Sequence, residues 1–428
     1  MKNNRFVSIL LLAVILAACD TLIQPPPTST PTAPPTQTPF KVKGIISPGD
    51  KIGEMTITNE ESKHYYWLLD SCSFNWTLIK PNSQTVKCTV PELPAVGIGP
   101  VWGAETAKFE ASLEPITWGL YVDDHQVMVD EFGYFDLSYY VPSAGFETTY
   151  RNWNVLLRNL TPGRHIIRFS FTIASAVDDG WNIYPSGKYE YIADLTVTEK
   201  PAYSTLSPIP APGQNAYTSQ NGDIDFLLYV PESYGVDPAK KWPLIVYLHD
   251  AEWRGSLDFV LRESLPKRLQ TLKDFEFLVF SPAGNGGMDF WTKEEMIVQV
   301  LSVLNEIKAI YPVDPNRIYL TGAGMGGNGV WAMGMRNPEY FAALAPLGGY
   351  IYPFGIPENI CNLTDVPIWA FHGKEDFMVP PQVEQDLVDA VKACGGTAQI
   401  TVKSGAVIPL DVYFNSELFN WFLSHSKE

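Results

Sequence analysis

Residues 314–327, Asp-Pro-Asn-Arg-Ile-Tyr-Leu-Thr-Gly-Ala-Gly-Met-Gly-Gly, constrain the fold of this chain more than any other stretch. The apolar run 318–321 predicts a strand, the glycines at 322, 324 and 326 predict a tight turn, and the residues beyond predict a helix. The surrounding sequence repeats that grammar. Runs 226–230, 244–248, 277–280, 318–321, 342–346 and 366–371 are short and apolar, and helical stretches alternate with them, the clearest being 293–310. Strands alternating with helices imply a mostly parallel sheet with helices on both faces, so residues 217–428 are expected to form an α/β domain.

The first half follows a different pattern. Residues 40–200 hold short β-type runs at 116–122, 126–129, 134–140, 154–160, 165–173 and 189–197, with turn signals such as Asp123-Asp124 and Pro162-Gly163 between them. No long helical period interrupts them, and an antiparallel, all-β sandwich-like domain is the expectation. Six of the twelve tryptophans lie here: Trp67, Trp76, Trp102, Trp118, Trp153 and Trp181. They either fill the core or offer stacking surfaces to a sugar or a protein. A proline-bearing linker, residues 201–216, is expected to join the two domains.

The amino-terminal end reads as an export signal. Lys2 and Arg5 precede an apolar run, residues 6–16, too short to span a bilayer, and Leu16-Ala17-Ala18-Cys19 resembles a bacterial lipobox. Residues 1–18 are then a signal peptide and Cys19 the lipidated first residue, attaching the protein to a membrane. Residues 19–39 carry a proline- and threonine-rich segment that cannot bury a core and acts as a stalk. Several acyl chains on one cysteine anchor stably, at ~0.8 kcal/mol per buried methylene. The expected location is extracytoplasmic, on a bacterial membrane.

The remaining cysteines, Cys72, Cys88, Cys361 and Cys394, form an even set that suits an oxidising compartment. A helix beginning near Pro381 and returning antiparallel to strand 366–371 brings Cys394 back toward Cys361, so a bridge between them is expected; free thiols are the alternative. No Cys-x-x-Cys pairing suggests zinc or redox work, and no metal or cofactor is expected. A formal charge of −17 argues against nucleic acid as a partner. Nothing in the sequence fixes an oligomeric state.

Gly322-Ala323-Gly324-Met325-Gly326 has the setting of a Gly-x-Ser-x-Gly nucleophile elbow, with glycine where the serine would stand. Four stretches resemble a secreted carboxylesterase family of the α/β hydrolases, related to polyhydroxybutyrate depolymerases and prolyl-oligopeptidase-type esterases. They are Tyr229-Val230-Pro231 through Lys241-Trp242-Pro243 to His249, residues 314–331, Val366 through His372-Gly373-Lys374-Glu375-Asp376, and residues 415–425. The resemblance implies that Asp376 holds the position of the triad acid. It places Ala406 where the histidine base would be, and no histidine lies between His372 and His425. It also implies an oxyanion loop His-Gly-x-Gly, for which this chain has His249-Asp250-Ala251-Glu252, two acids in place of two glycines. A carboxylate there opposes the charge that such a loop stabilises.

Gly324, Met325, Ala406, His249, Asp250 and Glu252 thus outline a vestigial site with Asp376 its one retained catalytic position. The first functional reading is a lipoprotein pseudoenzyme, its hydrolase-like domain a scaffold or a pocket for an ester, peptide or carbohydrate. A second is a hydrolase, esterase or glycoside-type, with a rearranged site using Asp250, Glu252 and Asp376. A third makes the β-domain a carbohydrate- or cell-wall-binding module. On the first reading, Gly324→Ser with Ala406→His is expected to return some ester turnover.

Overall fold

The computed structural model describes residues 41–60, 68, 72, 74, 80–141, 145–251, 256–272, 275–284, 290–351, 355–376 and 379–427. Cys19, the expected signal and stalk, Trp67, Trp76 and Glu252 lie outside these residues.

The second half is built on an eight-stranded sheet. In chain order its strands are β1 (Gly213–Thr218), β2 (Asp225–Val230), β3 (Trp242–Leu248), β4 (Leu278–Pro282), β5 (Val313–Ala323), β6 (Ala343–Leu347), β7 (Ile368–Gly373) and β8 (Ala398–Lys403). Across the sheet they run β1-β2-β4-β3-β5-β6-β7-β8. β2 is antiparallel to both of its neighbours, and all pairings from β4 to β8 are parallel. β3, β4 and β6 are buried along their whole length, which is why each reads as an unbroken apolar run.

The pleat divides β3 between two cores. Leu244, Val246 and Leu248 pack on one face with Trp291, Leu304 and Trp331; Ile245 and Tyr247 pack on the other with Tyr319 and Phe419. Helices α1 (Leu257–Val260), α2 (Ser264–Leu269), α3 (Glu294–Ile310), α4 (Met325–Arg336), α5 (Pro381–Ala393) and α6 (Glu417–Leu423) accompany the sheet. α3 buries Ile297, Val300, Leu301, Leu304 and Ile307, the three-and-four spacing of an amphipathic helix. α4 is buried from Met325 to Met335, in keeping with its near absence of charge.

The expected linker needs correcting. β1 begins at Gly213, inside the stretch assigned to the linker, and pairs with β2 along its full length. The residues before it are docked as well: Leu206 and Tyr217 join the core of the α/β half, the Tyr311 hydroxyl donates to the Ser207 carbonyl at 2.8 Å, and Lys200 pairs with Asp225 at 2.6 Å. The segment is a strap docked through Lys200, Leu206 and Ser207.

The first half contains a six-stranded sheet, a four-stranded sheet and a three-stranded sheet. One hydrophobic core is shared among them. Its central pairings are antiparallel as expected, for instance Gly163–Ile173 with Gly187–Thr198, but both edges of the six-stranded sheet are parallel. Gly44–Ile46 pairs with His125–Val127, and Asn82–Pro91 with Gly187–Thr198. The wholly antiparallel expectation is corrected on that point. Trp102 and Trp153 are buried; Trp118 packs against them with ring centroids at 6.1 and 4.9 Å. The Trp102 indole N–H donates to the buried Ser112 hydroxyl at 2.9 Å. Trp181 packs beside Phe146. Trp102 and Trp153 are therefore core and the half-buried Trp118 packs against it, burying apolar surface at ~25 cal/mol per Å².

Both disulfides form, Cys72 with Cys88 and Cys361 with Cys394. The second links the 3₁₀ turn Ile360–Leu363 to the carboxyl end of α5, the return geometry expected from a strand followed by a helix.

Candidate functional site

β3 lies between β4 and β5, so the chain leaves β3 toward one side and later returns on the other. A crevice outside the carboxyl ends of the strands at such a reversal is where open α/β sheets place their ligands. At that end of the sheet stand His249, Asp250 and Ala251 after β3 and Gly324 after β5.

The elbow backbone is intact. Gly324 has φ 52° and ψ −114°, a conformation that strains any residue with a side chain. Gly326 is needed for close approach, since a Cβ there would fall 2.0 Å from the Leu248 carbonyl oxygen. The space that a side chain at 324 would enter is filled by another residue's carboxylate. A Cβ built on Gly324 would lie 2.2 Å from Asp250 Oδ1 and 2.7 Å from Oδ2.

Asp250 Oδ1 accepts the backbone N–H of Met325 at 2.9 Å and that of Ala251 at 2.6 Å. Those two amides have the positions of an oxyanion hole: the residue after the elbow and a residue of the loop after β3. The expectation that acids would disfavour charge at this site is therefore refined. Asp250 does not merely stand near those two amides; its oxygen accepts both.

His249 fixes the loop. Its Nδ1 donates to the Asp250 carbonyl at 2.8 Å, and its Nε2 accepts the Gly284 N–H at 2.9 Å, which sets the neutral tautomer with its proton on Nδ1. The His249 carbonyl accepts the Trp291 indole N–H, and the Asp250 N–H is donated to the buried Glu263 carboxylate. With the backbone bonded on both sides, the Asp250 side chain is directed at the elbow.

Asp376 is buried at the end of the β7 loop, where Oδ1 accepts the Val379 N–H at 2.9 Å and Oδ2 lies 3.6 Å from His372 Nε2. His372 is wholly buried, with Nδ1 bonded to Glu384 Oε2 at 2.7 Å and Nε2 to the Val379 carbonyl at 2.9 Å. Both ring nitrogens face acceptors, so both carry protons. Burial opposes the charged ring, but Asp376 and Glu384 outweigh it and push His372 up to about 10. Burial also raises Glu384, while bonds from His372, the Trp331 indole and the Gly349 N–H favour its charged form. The pair sits as imidazolium and carboxylate. It ties α4, the loop after β6, the end of β7 and α5 together.

Ala406 lies in the loop after β8. Glu375 Oε2 accepts the Gly405 and Ala406 N–H groups at 2.7 and 3.2 Å, and the Ala406 carbonyl accepts the Glu375 N–H. This loop is thereby bonded to the one carrying Asp376, and residue 406 brings only a methyl group to it. His425 offers no replacement. Its carbonyl accepts the Tyr319 hydroxyl, five residues back along the chain from Gly324, a separation of ~16 Å in a strand.

Sequence reasoning missed Glu384, Glu263 and Glu375. Glu384 left a signal: with Leu387, Val388 and Val391 it forms the i, i+3, i+4, i+7 stripe that α5 buries, and a carboxylate on such a stripe needs a partner. Among the described residues no group of three His, Cys, Asp or Glu side chains is placed to hold a metal ion. The rearranged carboxylate site finds Asp250 bonded to the elbow amides and Asp376 turned to His372 and Val379.

Residues 286–407 match the dienelactone hydrolase family. With the sheet order and the elbow, that match decides the architecture. The second half has the α/β-hydrolase fold. The matched stretch is less than a third of the chain. YfhR, an uncharacterised protein of Salmonella typhi, is 21% identical over 216 residues, 44% of this chain and 72% of that protein. XynS20E of Neocallimastix patriciarum, a bifunctional acetylxylan esterase/xylanase, is 29% identical over 172 residues, 38% of this chain and 23% of that protein. Among solved structures, a thermostable esterase aligns with a TM-score of 0.42 at 20% identity, over 80% of this chain and 99% of its own. An acetyl xylan esterase of Aspergillus awamori aligns at 0.39 and 14%, over 49% and 98%.

Proposed function

We propose that this chain is an extracytoplasmic lipoprotein, held to a bacterial membrane through Cys19, whose α/β-hydrolase half is a non-catalytic scaffold or binding unit. The first half, read as sandwich-like, adds a second contact surface. One observation carries the non-catalytic reading: the Asp250 carboxylate lies where a nucleophile's Cβ would be and accepts both oxyanion-hole amides. Loss of a serine or a histidine alone removes about 10⁶ in turnover from a hydrolase of this kind, and the oxyanion hole is the usual source of what remains. In this chain that source is filled. The esterase names among the relatives fit descent from an ester-hydrolysing ancestor.

The intact protein treated with an alkyl fluorophosphonate, which phosphonylates activated serines, is expected to show no added mass by intact mass spectrometry. A stoichiometric adduct on any serine would overturn the reading.

A further inference from the structure

The Asp250 carboxylate has the three attributes of a bound acid product. It is an anion, one oxygen accepts two converging backbone N–H groups, and it fills space left by the absent side chain at 324. Met325 N–H begins the twelve-residue helix α4, whose dipole favours negative charge at that end. Ala251 N–H comes from a separate loop, pinned by His249 to Gly284 and Trp291. The Asp250–Ala251 peptide is held through its carbonyl by His249 Nδ1, and Met325 by α4, so neither donor depends on the Asp250 side chain for its place.

From this arrangement we infer that Asp250 is an autoinhibitory occupant: the elbow remains a competent site for a small carboxylate, and the chain closes it in cis with its own. The inference rests on the non-catalytic reading of the same site. Glycine at 324 is part of the device, because a Cβ there and the carboxylate compete for one volume. Truncating Asp250 leaves two inward-facing amides and a hollow of carboxylate shape. A free carboxylate then replaces the lost group and stabilises the fold by mass action.

The probe is acetate. The Asp250→Ala protein melts below wild type in sodium chloride, and replacing the chloride by 100 mM acetate at equal ionic strength raises its Tm by on the order of 2 °C. Wild type shows no such acetate-specific rise. An equal effect on both proteins, or none on the folded variant, overturns the proposal. Asp250→Asn keeps the shape without the charge and gives a second readout should the alanine variant fail to fold. With ¹⁵N-labelled alanine and methionine, the amide protons of Ala251 and Met325 both move upfield in Asp250→Asn; if neither moves, the carboxylate is not on those amides and the proposal fails. Ester turnover by wild type would refute the non-catalytic reading while leaving acetate rescue to stand or fall by itself.

Discussion

The Gly324→Ser, Ala406→His double variant stays silent toward short-chain aryl esters, and adding Asp250→Gly brings turnover on the order of 10²-fold or more above the double variant. The sequence alone suggests that two substitutions suffice. The structure shows a third obstacle, because a serine Cβ at 324 would lie 2.2 Å from Asp250 Oδ1. If the carboxylate rotates aside, it leaves a full negative charge beside the developing oxyanion; if it stays, both donors remain occupied. Loss of one oxyanion donor costs about 10²–10³ in turnover, so releasing two sets the expected gain. Asp376 follows β7 in the loop that Glu375 bonds to the 405–406 backbone, and in the wild-type chain its carboxylate is held by the Val379 N–H and lies 3.6 Å from His372. Initial rates on an aryl acetate, with all variants shown folded by circular dichroism, decide it. Equal rates for the double and triple variants would mean that Asp250 does not block the site.

His372→Ala is expected to lower the unfolding free energy by about 3–5 kcal/mol, because it strands a buried carboxylate at Glu384. The pair also imposes a pH dependence. His372 titrates near 10 in the folded chain against 6.5 for an unperturbed histidine, so its contribution is complete below about 6.5 and is lost as pH rises through 10. Denaturant unfolding at pH 6 and at pH 9 is expected to show wild type weaker at pH 9, with that decline reduced in His372→Ala. A variant as stable as wild type, or one with the same decline, would rule out the ion pair as the cause.

Much of the α/β half was legible because parallel strands buried on both faces must be apolar runs, as β3, β4 and β6 are. The edge strands were not. Gly213–Thr218 and Ala398–Lys403 are partly exposed and mix polar with apolar residues, so neither carries the unbroken apolar run that marks a buried parallel strand. In the first half, Asn82–Pro91 alternates between exposed and half-buried for eight residues, and its partner is more than a hundred residues away in the chain. Parallel pairing of that kind leaves no local turn signal.

The site divides along the same line. The identities of residues 324 and 406 are matters of sequence. That Asp250 turns into the elbow follows from the positive φ of Gly324, the tautomer of His249 and the pull of two amides, all of which arise only after β3 and β5 are side by side.

The central claim is that a carboxylate has replaced the nucleophile. Its most direct test is the rate of aryl acetate hydrolysis by the wild-type chain, in detergent, against buffer and against Asp250→Asn. The account predicts that wild type and variant both match buffer. Turnover by wild type that exceeds buffer and falls in Asp250→Asn would contradict it, making Asp250 a working catalytic group and not an occupant.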